Sequence, residues 1–143
     1  MKYVFGSPGW LAAIHGVIAE RAAWELKAKP NLSMSICEVF LNAPRDLANA
    51  EGGKIAWSCV VDGPHIDFQL RERDDVRFKV IAEYEPLLPL GRYDTRAEPT
   101  RAAELARMAA ELIASGKMRT VGERIADPAA MTSVHDAIAR LTR

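Results

Sequence analysis

Residues 34–41 read Met-Ser-Ile-Cys-Glu-Val-Phe-Leu, a run apolar on nearly both faces of an extended chain, with Glu38 as its one charge. Side chains alternate between the two faces of a strand, so a run of this kind suits a strand covered on both sides. The rest of the chain has to supply that cover. The carboxylate in its middle makes a demand of its own: if buried, Glu38 needs a partner or a raised pKa.

Three further runs read as strands. Ile55, Trp57, Cys59 and Val61 alternate with Lys54, Ala56, Ser58 and Val60, and Asp62-Gly63-Pro64 then makes a turn. Ile66, Phe68 and Leu70 alternate with His65, Asp67, Gln69 and Arg71, the clearest period-two signal in the chain. After an acidic turn at Asp74-Asp75, Val76, Phe78, Val80 and Ala82 alternate with Arg77 and Lys79. Short turns between consecutive strands predict an antiparallel meander.

Helices flank these strands. Ser7-Pro8 supplies an N-cap and a first-turn proline, and Trp10, Ile14, Val17 and Ile18 follow at helical spacing. That helix should end before Pro30. Pro86, Pro89 and Gly91 break the pattern, so 86–97 is expected to be a loop. A second helix, begun near Glu98-Pro99, places Leu105, Met108, Ala109, Leu112 and Ile113 on one face and stops at Gly116. Residues 117–121 suit a short fifth strand. Asp127-Pro128 repeats the cap-plus-proline start, with Met131, Val134, Ile138 and Leu141 as the last helix's stripe.

A chain of 143 residues with no repeats or flexible linkers fits one domain over 1–143. Nineteen basic residues balance nineteen acidic ones, which argues against a general nucleic-acid binder. No stretch approaches a membrane span, and no secretory leader stands at Met1–Gly6, so stable membrane insertion is not expected and a cytoplasmic location is. Cys37 and Cys59 lie apart in apolar runs and read as buried free thiols.

The opening Phe5-Gly6-Ser7-Pro8-Gly9-Trp10-Leu11 resembles the start of stand-alone bacterial and archaeal sterol carrier proteins, which open F-G-S-x-x-W into their first helix. Ser115-Gly116-Lys117-Met118-Arg119-Thr120-Val121-Gly122 is similar to the same family's helix end followed by a G-K-(apolar)-x-(apolar)-x-G strand. With the order of elements, the resemblance spans nearly the whole chain. It implies an α+β, SCP2-like fold: a five-stranded, mainly antiparallel sheet with helices on one face. It also implies an apolar cavity between the two layers that takes fatty acyl chains, sterols or similar lipids. No cofactor and no catalytic residue come with it.

Other chemistries lack their signals. His15, His65 and His135 lie in three different elements without HxH or HxxxH spacing, so no metal site is predicted. No GxSxG, GxGxxG or GxxxxGK[ST] occurs. Carboxylates are the remaining candidates. Glu83 and Glu85 would share a strand face about 7 Å apart, and Glu38, Asp67 or Glu83 could act as the base of an isomerase or cyclase on an apolar substrate. The leading expectation is binding or transfer of an apolar ligand, in a pocket lined by Phe40, Trp57, Phe68, Phe78, Met108, Leu112, Met131 and Val134. A third reading is a solid-cored domain that forms a homodimer through exposed Trp10 or Trp24.

Overall fold

The computed structural model describes residues 1–123 and 128–143. Helix α1 (Pro8–Leu26) precedes strands β1 (Ser33–Leu41), β2 (Ile55–Asp62) and β3 (His65–Gln69). Strand β4 (Phe78–Glu83) runs directly into α2 (Tyr84–Gly91), and α3 (Pro99–Ala114), β5 (Met118–Gly122) and α4 (Pro128–Arg140) follow. The five strands lie in the order β3-β2-β1-β4-β5. The run apolar on both faces is therefore the central strand.

The sheet is mixed. β2 pairs antiparallel with both β1 and β3, and β5 does so with β4. β4, however, lies parallel to β1, with Ile36 opposite Phe78 and Glu38 opposite Val80. The predicted meander thus holds through β3 and breaks there, because the chain must cross beneath β2 and β1 before β4 can pair. Residues 70–77 make that crossing on the face away from the helices. Val76 packs with Cys37, Val39, Ala56 and Ile81, and the Arg73 N–H points at Cys37 Sγ, 3.4 Å away. Lys79, only 6% exposed, holds the crossing segment through Glu72 and Asp74, each at 2.6 Å. Burial works to lower the ammonium's pKa, but the two carboxylates outweigh it and hold it above its ordinary value.

The opposite face carries all four helices. Met34, Ile36 and Phe40 of β1, Ile55, Trp57, Cys59 and Val61 of β2, and Val80 and Ala82 of β4 meet Trp10, Leu11, Ile14, Ile18 and Ala22 of α1 in one core. Those α1 residues recur at helical spacing, and Ser7 Oγ caps the helix by accepting from Trp10 N at 3.3 Å. Both faces of β1 are covered as its composition requires, by helices above and by loop segments below.

The two ends of the chain meet under α1. Tyr3 N–H donates to Leu141 O and Arg143 N–H to Tyr3 O, both at 2.7 Å. Trp10 Nε1 donates to Thr142 Oγ1 at 2.9 Å. Trp10 is therefore 2% exposed and joins Phe5, Phe40 and Tyr84 in an aromatic cluster. It is no exposed interface anchor, contrary to the sequence expectation, whereas Trp24 is 59% exposed.

Three more comparisons with the sequence are informative. The predicted loop over 86–97 is helical as far as Gly91. Pro86 falls in the first turn, where its missing N–H forfeits no helical bond, and burial of Tyr84 and Leu87 stabilises the rest. Two glycines in the motifs quoted above have backbone reasons. Gly6 sits at φ +80°, where a Cβ would fall 2.6 Å from Ile55 Cδ1, and Gly122 at φ +91°, where one would fall 2.0 Å from Arg77 O. The last helix begins at Pro128 as expected, while its predicted cap Asp127 lies outside the described residues.

The Trp10–Thr142 bond yields a stability prediction. Thr142→Val leaves a buried indole N–H unpaired, which costs about 1–3 kcal/mol. Thermal denaturation should therefore show a drop of several degrees. Adding Trp10→Phe should lose less than the two single changes summed, because the orphaned donor is then gone.

Candidate functional site

Site residues were expected on the helix-covered face of the sheet, and the strand members lie there. Phe40 and Trp57 are 1% and 3% exposed, within the same core that partly buried Phe68 and Leu112 pack against. Phe78 is 6% exposed and lies beside Ile36 on that face. Met108 on α3, and Met131 and Val134 on α4, are half-buried. The eight do not have equal surroundings. Phe40 sits deep in the aromatic cluster, with Phe5 at 5.0 Å and Trp10 at 6.0 Å, so its ring is enclosed by other side chains.

Helix α3 is the least buried element of this layer. It spans 16 residues and has no buried residue. Leu105, Met108, Ala109 and Leu112 form its apolar stripe, and each keeps part of its surface accessible. Ile113, predicted for the same face, is 45% exposed. Met131, Val134, Ile138 and Leu141 of α4 are likewise half-buried throughout. A helix pressed flush on a sheet seals its stripe. These two do not.

Polar groups under this layer are few and notable. Glu38 projects from the middle of the central strand between Ile36 and Phe40, with Trp57 directly opposite on β2 and Val80 on β4. Burial pushes its pKa up to about 7, against a smaller downward pull from the Trp57 indole. Trp57 Nε1 is itself buried and makes no hydrogen bond of good geometry among the described residues. An unsatisfied N–H and an enclosed carboxyl therefore stand side by side on the floor of the helical layer. Glu38 nonetheless keeps some accessible surface. From the far side, Trp57 stacks on Phe68 at 5.4 Å, and Phe68 stacks on His15 of α1 at 4.6 Å with planes 3° apart. The sequence pointed to Glu38, but the His15–Phe68–Trp57 stack carries no linear signal, since it joins three separate elements.

The other carboxylates lie elsewhere. Asp67 is exposed on β3 and accepts from Gln69. Glu83 and Glu85 do not share a strand face, because the strand ends at Glu83 and the chain turns helical at Tyr84. Glu83 instead lies 3.4 Å from both Lys117 Nζ and Asn42 Nδ2. Of the three acids weighed as bases, Glu38 alone faces the helical layer. Cys37 and Cys59 are buried free thiols, and burial pushes Cys59 up to about 11, which leaves it protonated and unreactive. Among the described residues no group of three or more His, Cys, Asp or Glu side chains could hold a metal. Among them, too, no helix is long and apolar enough to cross a membrane.

A mixed five-stranded sheet with its helices on one face is an SCP2-like fold. A solution structure from Thermus thermophilus, of a conserved hypothetical protein described as "possibly sterol carrier protein", shares it over 99% of this chain and 90% of its own, with a TM-score of 0.50 and 12% identity. A structure of UbiJ-SCP2, a ubiquinone synthesis protein, aligns over 94% of this chain and 93% of its own, with a TM-score of 0.44 and 17% identity. At such identities the likeness concerns the fold. No protein-family model matches the chain, and neither does any curated protein.

Glu38 gives this site a pH signature. The folded protein holds its proton up to about pH 7, against the ordinary glutamate value of 4.5. Its contribution to stability is then full below pH 4.5 and is lost as the pH rises through 7, by roughly 3 kcal/mol. Glu38→Gln keeps the shape and removes the titration. Between pH 4.5 and 8 the wild-type melting temperature should fall relative to that of the variant, and parallel curves would show the carboxyl to be solvated.

Proposed function

We propose that residues 1–143 form one cytoplasmic domain that binds and carries an apolar ligand, a fatty acyl chain, sterol or similar lipid, between the sheet and the helices, without converting it chemically. The observation that carries this reading is the incomplete seal of α3 and α4 over a sheet face whose strand residues are buried. Apolar side chains that keep accessible surface beneath a helical layer can exchange that exposure for contact with an apolar guest, worth about 25 cal/mol for each Å² buried. Met108 and Met131 suit such a wall, because an unbranched thioether re-shapes around different guests. Phe68, Phe78, Leu112 and Val134 supply the remaining surface. Phe40 and Trp57 support it from below.

The Glu38–Trp57 pair gives the ligand a direction. An apolar layer with one carboxyl and one unsatisfied N–H favours a guest whose hydroxyl or carbonyl can meet them, since a buried polar group left unpaired costs about 1–3 kcal/mol. The reading needs no proton transfer to substrate carbon. Glu38 here orients the guest.

Binding of a fluorescent fatty-acid analogue, with cholesterol and a polyprenol as competitors, tests this function. Native mass spectrometry of the purified protein gives an independent check through whatever co-purifies. Leu112→Asp places a charge on the half-buried stripe of α3 and should weaken binding at least tenfold while the protein stays folded. Glu38→Gln should keep most of the affinity. Failure of every apolar probe to bind, or affinity indifferent to Leu112→Asp, would sink the proposal.

A further inference from the structure

A concavity lies away from the apolar layer, at the C-terminal ends of α2 and α4. It has a volume of about 470 Å³ and is lined by Lys2, Arg92, Tyr93, Asp94, Arg96, Arg101, Ala139 and Arg140. Five cations thus surround one groove with a single carboxylate among them, in a chain whose charges sum to zero. The concentration of positive charge is local and is not a reflection of overall basicity.

Two of the cations are held in place by backbone oxygens. Arg101 donates Nε and Nη2 to the Asp94 carbonyl oxygen at 2.9 and 2.7 Å, and its guanidinium lies 4.6 Å from the Tyr93 ring centre. Arg92 Nε donates to the Arg143 main-chain oxygen at 2.7 Å. The Asp94 carbonyl fixes the direction of Arg101 and leaves its charge intact. The Asp94 carboxylate is already engaged: it accepts the Arg96 N–H at 2.8 Å and stands 3.4 Å from Arg140. Among the described residues no Asp or Glu side chain forms an ion pair with Lys2, Arg96 or Arg101. Like charges gathered around one concavity repel one another, and an anion relieves that repulsion.

The loop beneath is anchored rigidly. Thr95, 0% exposed, donates its N–H and Oγ1 to the buried Asp136 carboxylate of α4 at 2.8 and 2.5 Å. His135 Nε2 lies 2.9 Å from the Tyr93 carbonyl oxygen. Arg96 and Ala97 are both held in left-handed conformations, at φ 53° and 55°. Such backbone persists where its surroundings determine it, and here it carries Arg96 at the groove.

We propose that this groove is a binding site for a phosphate-bearing anion of about pyrophosphate size. Planar guanidinium groups match phosphate oxygens two at a time, and the fixed Arg92 and Arg101 present that geometry before any ligand arrives. The volume falls within the range of small-molecule pockets, about 300–1,000 Å³. A soluble diphosphate and a phospholipid headgroup share this chemistry. The site does not depend on the lipid-carrier reading, because none of its residues belongs to the apolar layer.

The test uses the full chain and two probes: calorimetric titration with inorganic pyrophosphate at low salt, and co-flotation with phosphatidylcholine vesicles containing phosphatidate. The variant is Lys2→Gln with Arg96→Gln, two exposed side chains whose loss leaves the fold and its melting temperature intact. Pyrophosphate should bind at one saturable site, weaken as salt rises, and lose at least tenfold in affinity in the variant. Vesicle binding without pyrophosphate binding, abolished in the same variant, would assign the phosphate to a lipid headgroup. Binding of neither probe, or binding that the variant leaves unchanged, would overturn the proposal.

Discussion

The parallel pairing of β4 with β1 is the constraint on which the remaining architecture depends. A parallel neighbour cannot be reached through a tight turn, so the chain leaving β3 has to cross the sheet before β4 begins. It crosses on the loop side, drawn there by Val76 in the lower core and by Lys79 gripping Glu72 and Asp74. An ammonium taken out of water on a central strand is stabilised only by close partners, and the crossing segment provides both. The crossing therefore seals the lower face, and the upper face stays free for all four helices.

That division explains how much of the fold could be read from the sequence. Strand periodicity is local, and the alternations at 55–61 and 65–70 assigned each side chain to a face before any partner was known. The order of strands is not local. Nothing in 76–82 states that its neighbour is β1, because a parallel register depends on where residues 70–77 travel. Helix α2 was hidden because its prolines read as breakers, while the burial of Tyr84 and Leu87 that supports it is a tertiary fact. Trp10 read as exposed for a similar reason: its partner Thr142 is 132 positions away.

The two sites differ in the same way. Glu38 stands out as a single charge in an apolar octet, so its oddity was legible and its raised pKa follows from where β1 lies. The basic groove was not legible. Arg92, Arg96 and Arg101 lie close in sequence, but Lys2 and Arg140 join them from the two ends of the chain, and the neutral total conceals the gathering.

Glu38 also sets the half-sealed layer apart from ordinary apolar packing. An ionised carboxyl enclosed by protein lowers stability at neutral pH, and leucine at that position would both fill the space and remove the penalty. Trp57 stands directly opposite on β2, and its buried indole pulls the Glu38 pKa down against the effect of burial. That pair is less fully satisfied than a structural pair such as Thr95 with Asp136, where both of the Thr95 donors are used. Local rules of satisfaction are broken in folded proteins mainly where function needs the unsatisfied group. Here the two groups stand side by side on β1 and β2, where Trp57 stacks on Phe68 and Phe68 on His15 of α1.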